Sequence, residues 1–182
     1  GGNSIEVVPS SDRLFGSVVF APDGKDLYFT FRDRNHARST LTRVSIFGGP
    51  MQELIQGVDS SVTFSPDGKY LAFIRRDPEI EKSSIVVADA GTGQNERVLV
   101  TRENSENILG YGVSWSPDGA KIAFSGQIGS AHGSSIFAVN VTDGVVDKIA
   151  DDADDRIVNV SWSPDQNGLI VNRNTSNAAG DG

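Results

Sequence analysis

The strongest constraint on this chain is a turn that it writes four times. Phe20-Ala21-Pro22-Asp23-Gly24 is followed by Phe64-Ser65-Pro66-Asp67-Gly68, Trp115-Ser116-Pro117-Asp118-Gly119 and Trp162-Ser163-Pro164-Asp165. The four aspartates lie 44, 51 and 47 residues apart. A period of about 40–50 residues marks a repeat architecture, in which each unit is one supersecondary element stacked on the next.

The units share more than the turn. Leu27, Leu71, Ile122 and Leu169 stand four residues after the motif aspartate, and Phe29, Phe73, Phe124 and Val171 six after. Apolar residues two apart mark a strand with alternating faces. Leu41, Ile85 and Ile136 open a second apolar run, Gly49, Gly93 and Gly144 mark a turn, and Leu54, Val98 and Ile149 lie in a third run. With the short run before each motif (Val18–Phe20, Val62–Phe64, Val113–Trp115), each unit has four strands. A four-stranded unit at this period is a propeller blade.

The fold expected is therefore all-β: a partial or small β-propeller of four-stranded antiparallel blades, with about three full blades and parts of another. Residues 1–9 read as the outer strand of a preceding or closing blade. Residues 10–56, 57–101 and 102–150 read as three blades, and 151–182 as the first two strands of a fourth. Gly1-Gly2-Asn3 before Ile5–Val8 repeats the pattern of Gly48-Gly49-Pro50 before Gln52–Ile55, so the chain reads as a segment of a longer propeller. Self-association through open blade edges is expected, unless Ile5–Val8 joins the last blade in a small closed ring.

The motif is turn chemistry. Proline presets φ, aspartate bonds nearby backbone N–H groups, and glycine takes the left-handed conformation freely. Asp23, Gly24, Asp67, Gly68, Asp118, Gly119 and Asp165 are read as structural turn residues, because an active site is not normally copied at every repeat. In the fourth copy Gln166 replaces the glycine and Gly168 follows two residues later, which predicts a rearranged turn. The aromatic before each turn is placed between neighbouring blades.

Composition narrows the function. The 182 residues fit one domain. No run approaches the 18 or more apolar residues of a membrane-spanning helix, so no membrane insertion is expected. The chain has no cysteine, which excludes disulfides, thiolate metal sites and a cysteine nucleophile. Sixteen basic against 24 acidic residues give a net charge of −8, which argues against sequence-independent nucleic-acid binding.

Three stretches carry a family resemblance: Phe47-Gly48-Gly49-Pro50, Val58 through Gly68, and Leu71-Ala72-Phe73-Ile74-Arg75. They resemble the TolB-like bacterial propellers, whose blades carry a Ser-Pro-Asp-Gly turn between their first two strands. Nearest in kind is the propeller that follows some bacterial serine/threonine protein kinases. Similar propellers occur in winged-helix regulators, in TolB, and ahead of the hydrolase domain of prolyl oligopeptidase-like enzymes. The resemblance implies a bacterial source, a periplasmic or other extracytoplasmic location, and no cofactor. The chain has no His-Arg-Asp, no Asp-Phe-Gly and no Gly-x-Ser-x-Gly elbow.

Loops on a rigid scaffold are the natural site carriers. In a propeller the second-to-third loops (Asp33–Arg38, Arg75–Lys82, Gly126–Gly133) share one face with the blade-to-blade loops (Gln56–Ser60, Glu103–Gly112, Asp151–Arg156). Candidates for binding on that face are Arg34, His36, Arg75, Arg76, Tyr111 and His132. The Arg32-Asp33-Arg34 and Arg75-Arg76 groups could grip a carboxylate or phosphate, against local pairing with Asp77, Glu79 and Glu81. His36 and His132 lack a third metal ligand in sequence. Asp151, Asp152, Asp154 and Asp155 lack the spacing of a calcium loop and read as a solvated acidic loop. Asn140, Asn159 and Asn174 match the short glycosylation pattern and are set aside for a bacterial chain. No catalytic, cofactor or metal residue is assigned.

The reading that results is a non-enzymatic interaction or sensing module that binds a protein or small ligand on its loop face. The alternative is the accessory propeller of a larger kinase or prolyl oligopeptidase-like hydrolase. A propeller enzyme with its site in the channel ranks last, because Ser17–Phe20, Ser61–Phe64, Gly112–Trp115 and Asn159–Trp162 carry no carboxylate or histidine.

Overall fold

The computed structural model describes residues 7–8, 12–34, 38–77, 79–103, 106–127, 133–152, 156–165 and 167–174. The first sheet holds β1 (Leu14–Phe20), β2 (Asp26–Arg32), β3 (Thr40–Ser45) and β4 (Gln52–Gln56). The second holds β5 (Thr63–Phe64), β6 (Tyr70–Asp77), β7 (Lys82–Asp89) and β8 (Arg97–Glu103). The third holds β9 (Ile108–Trp115), β10 (Lys121–Gly126), β11 (Ser134–Asn140) and β12 (Val146–Asp152). A fourth pairs β13 (Arg156–Trp162) with β14 (Leu169–Asn174). Within each sheet, strands adjacent in sequence pair antiparallel. These successive antiparallel sheets form the blades of a partial β-propeller.

The repeated turn closes each first hairpin by one set of bonds. The N–H of Gly24, Gly68 and Gly119 donates to the carbonyl three residues earlier, and each glycine has φ between 68° and 75°. Asp23, Asp67, Asp118 and Asp165 each accept the backbone N–H two residues on. Asp67, Asp118 and Asp165 also accept the hydroxyl of Ser65, Ser116 and Ser163. That hydroxyl bond, then the backbone N–H, holds all three carboxyls below the usual aspartate range. In the fourth copy Gln166, where the rearrangement is expected, lies outside the described residues, while the bonds that flank it keep the pattern of the other turns. Ser163 N–H still donates to the Gly168 carbonyl, as Ser65 does to Tyr70 and Ser116 to Lys121. Ser163 Oγ and the Asn167 N–H both bond Asp165, as in the other turns.

Strand alternation places one stripe on each side of a blade, so the core lies between blades. Between the first two sheets, Tyr28, Leu41 and Ile55 meet Val62, Leu71, Phe73 and Val86. Phe64 packs there edge-on to Tyr28, with ring centroids 5.0 Å apart. Between the second and third, Ile74, Ile85 and Val87 meet Trp115, Ile122, Phe124 and Phe137. Ala123 and Ile136 meet Ile157 and Val160, with Trp162 packed alongside, at the third junction. Phe64, Trp115 and Trp162 thus fill junctions, whereas Phe20 is 62 % exposed on the first sheet.

Polar latches cross the same junctions. Ser83 Oγ accepts the N–H of Ile108 at 2.9 Å, and Ser134 Oγ accepts that of Ile157 at 2.7 Å. Both serines open the third strand of one blade, and both acceptor bonds hold the start of the next blade's inner strand. At the first junction Ser39 occupies the equivalent position, and its carbonyl accepts Gly57 N–H at 2.8 Å and Val58 N–H at 3.4 Å. Nearer the axis, Ser114 Oγ accepts Trp162 N–H at 2.9 Å. A buried N–H needs such a partner.

The first nine residues differ from expectation where they are described. Val7 and Val8 form a bend, not a strand, and lay their side chains against Phe29, Phe31 and Val44. Those three residues are the outward apolar stripe of the first sheet, and covering it removes apolar surface from water. Ile5 and Glu6 lie outside the described residues.

Candidate functional site

A cavity of about 760 Å³ opens between the first two blades, at the end where second-to-third loops meet the blade-to-blade segment. Its first wall comes from a β-bulge. Phe15 pairs with Phe31 and Val18 with Phe29, so Gly16 and Ser17 together oppose Thr30. Ser17 N–H donates to Thr30 Oγ1 at 3.2 Å. A Cβ on Gly16 would stand 2.4 Å from that oxygen, so a side chain there would displace the Thr30 hydroxyl from its bond to Ser17. Bulges of this kind re-aim side chains and recur beside sites.

The second wall is a strap, Val58 to Ser61, fastened along β6. Asp59 N–H donates to the Ile74 carbonyl and Ile74 N–H to Ser60 Oγ, both at 2.9 Å. Arg76 N–H donates to Asp59 Oδ2, and Arg76 Nη1 to the Asp59 carbonyl, each at 2.8 Å. Arg32 and Arg38 complete the rim with Asp77 and Glu79. Both arginines are exposed.

The predicted residues divide. Arg76 lines the cavity. Arg75 does not pair with Asp77, Glu79 or Glu81, and it lies within β6 instead of in a loop. It forks onto Glu96 at 2.6 and 3.0 Å and donates to the carbonyls of Gln56 and Gly57. Its long stem reaches across the sheet end, where the left-handed Gly57 (φ 74°) exposes two carbonyls. Arg75 is therefore a clamp between blades. Arg34 is exposed, and its Nε donates to the Asp12 carbonyl at 3.4 Å. Tyr111 falls in β9, where register shifts between the Leu109–Ser125 and Ser114–Ala123 pairs. His36 and His132 lie outside the described residues, as do Asp154 and Asp155. Asp151 is bound by Lys148 at 2.7 Å and by Ser135 at 2.6 Å, and these bonds hold its carboxyl low. Among the described residues no group of three or more histidines or carboxylates is placed to hold a metal.

Reading the sequence missed Arg38, Thr30 and the Asp59–Ser61 strap. One signal was present: Arg32 and Arg76 both stand nine residues after their motif aspartate. Equivalent positions on adjacent blades face one rim, so the pair was legible as a pair.

No protein-family model and no curated protein matches this chain. Solved structures do. A protein named as a TolB candidate from Agrobacterium tumefaciens is 20 % identical with a TM-score of 0.70, covering 88 % of this chain and 55 % of that one. An oligogalacturonate lyase in complex with manganese is 16 % identical with a TM-score of 0.67, covering 87 % and 46 %. A prolyl endopeptidase is 17 % identical with a TM-score of 0.60, covering 80 % and 22 %. The chain spans about half the length of the TolB structure. Likeness at this identity is likeness of fold. With the sheet order, the turns and the inter-blade cores, it shows that the chain has the fold of the TolB-like β-propellers.

Proposed function

We propose that this propeller is a binding module that engages a protein or small ligand on its loop face, at the cleft between the first two blades. The observation that carries this reading is the cleft itself: a bulged strand, a fastened strap and a charged rim around one cavity. Clefts of about 300–1,000 Å³ with a few placed polar groups are the usual form of a small-ligand site. The reading assigns no turnover to these residues and, from the TolB-like resemblance, an extracytoplasmic setting.

A thermal-shift screen of the purified chain against small molecules and peptides tests it. Stabilising ligands should lose their effect when Arg76 is changed to Ser, and keep it when Lys69, at the opposite rim, is changed to Ser. Hydrolysis or lyase activity that is lost with the Arg76 change would overturn the non-enzymatic reading. Ligands sensitive only to Lys69 would overturn the choice of face.

A second reading, an accessory propeller of a larger hydrolase, is favoured by the likeness to the prolyl endopeptidase. The two readings differ in the flanking gene sequence. A nucleophile elbow encoded beyond either end of these residues would select the second.

A further inference from the structure

We infer that the cleft between the first two blades is a carboxylate-recognition site, in which Arg32 and Arg38 supply the binding charge and Arg76 is a fixed third corner. This rests on the loop-face reading above and names its ligand class. Most other arginines of the described residues are spoken for. Arg13 pairs with Asp33, Arg43 with Asp26, Arg75 with Glu96 and Arg102 with Glu106. Arg97 donates to the Val141 carbonyl. Among the described residues no hydrogen bond or ion pair engages Arg32 or Arg38, although carboxylates line the same cavity.

Two of those carboxylates accept backbone N–H groups. Asp59 accepts Arg76 N–H at 2.8 Å and Asp77 accepts Glu79 N–H at 3.2 Å. Glu79 is exposed. Three arginines and three acidic residues line the cavity, so the cleft is close to neutral. That balance suits a carboxylate better than a doubly charged phosphate. The guanidinium fork matches a carboxylate two bonds at a time, and Ser39 and Ser61 add hydroxyl donors on the walls. The net charge of −8 does not prevent this, because at physiological salt charges beyond about 8 Å are screened.

The test is an amide chemical-shift titration of the labelled chain with citrate, with a glutamate-rich peptide and with inorganic phosphate. Citrate or peptide should shift the amides of Thr30, Ser39 and Ser61. The Arg32→Gln/Arg38→Gln variant, checked for an unchanged melting curve, should bind at least about tenfold more weakly. Arg43→Gln, which changes a half-buried pair elsewhere on the first sheet, should stay within about twofold of the parent. Tighter binding of citrate assigns a free carboxylic acid, and tighter binding of the peptide an acidic protein segment; either supports the inference. Tighter phosphate binding, unchanged affinity in the double variant, or no shift at these amides overturns it. If the amides stay silent while ligands from the thermal screen still depend on Arg76, the carboxylate assignment fails and the loop-face reading stands. If nothing binds this face, both fail.

Discussion

Replacing Ser83 with alanine removes one hydroxyl at the junction of the second and third blades. The structure sets the size of the effect. Ser83 is 3 % exposed and Ile108 2 %, and the Ile108 N–H donates to Ser83 Oγ at 2.9 Å. Without the hydroxyl, a buried backbone donor loses its acceptor where water has little access. Leaving such a group unsatisfied costs about 1–3 kcal/mol. In a chain of this size each kcal/mol moves Tm by roughly 2–4 °C, so the loss is about 2–12 °C. Ser39→Ala is the internal control. Ser39 holds the equivalent place, but its carbonyl accepts Gly57 and Val58, so the change stays within about 0.5 kcal/mol. Urea unfolding of both variants, with hydrogen exchange at the Ile108 amide, reads the difference. Equal stability loss in the two variants, or none in Ser83→Ala, would refute the latch.

Three further outcomes follow from the same geometry. Gly93→Ala puts a Cβ 2.7 Å from Ile55 Cγ1 and 2.8 Å from the Leu54 carbonyl, at φ 68°; it should destabilise by about 1–3 kcal/mol in urea. Tyr28→Phe removes the 2.9 Å bond from the Tyr28 hydroxyl to the Ala90 carbonyl across the first junction, at a cost of about 1–2 kcal/mol. The lowered carboxyls of Asp67, Asp118 and Asp165 bind fewer protons folded than unfolded, so their contribution is present above the ordinary aspartate value of 3.8 and is lost as pH falls through the lowered values. The Ser65→Ala/Ser116→Ala/Ser163→Ala variant should therefore lose less Tm than the parent between pH 6 and pH 3; an equal loss would contradict the assigned cause.

The blades were legible because the turn and the strand period repeat at fixed offsets. Phe29, Phe73 and Phe124 hold one offset; the structure puts Phe73 and Phe124 in the inter-blade cores and Phe29 on the outward face of the first sheet, under Val7 and Val8. The latches were not legible. Ser83 and Ser134 look like ordinary strand serines, and only the arrival of the next blade makes their hydroxyls acceptors. Arg75 misled for a related reason. Its local sequence is acidic, yet its stem reaches Glu96, 21 residues on, because the sheet folds that carboxylate back toward it. The cleft falls between the two cases: Arg32 and Arg76 share a repeat position, whereas the strap that fixes Arg76 depends on a bond to Asp59 from the blade-to-blade segment. In the fourth turn the described Ser163 and Asp165 bonds repeat those of Ser65 with Asp67 and Ser116 with Asp118.

The central claim is that ligands meet this propeller at the cleft between its first two blades. Hydrogen-exchange mass spectrometry, run with and without the strongest ligand of the thermal screen, tests it most directly. Binding there should add protection in residues 30–34, 57–61 and 74–77, and none in the turns around Gly24, Gly68 and Gly93 at the opposite rim. Protection confined to those turns, or spread evenly over all the blades, would contradict it.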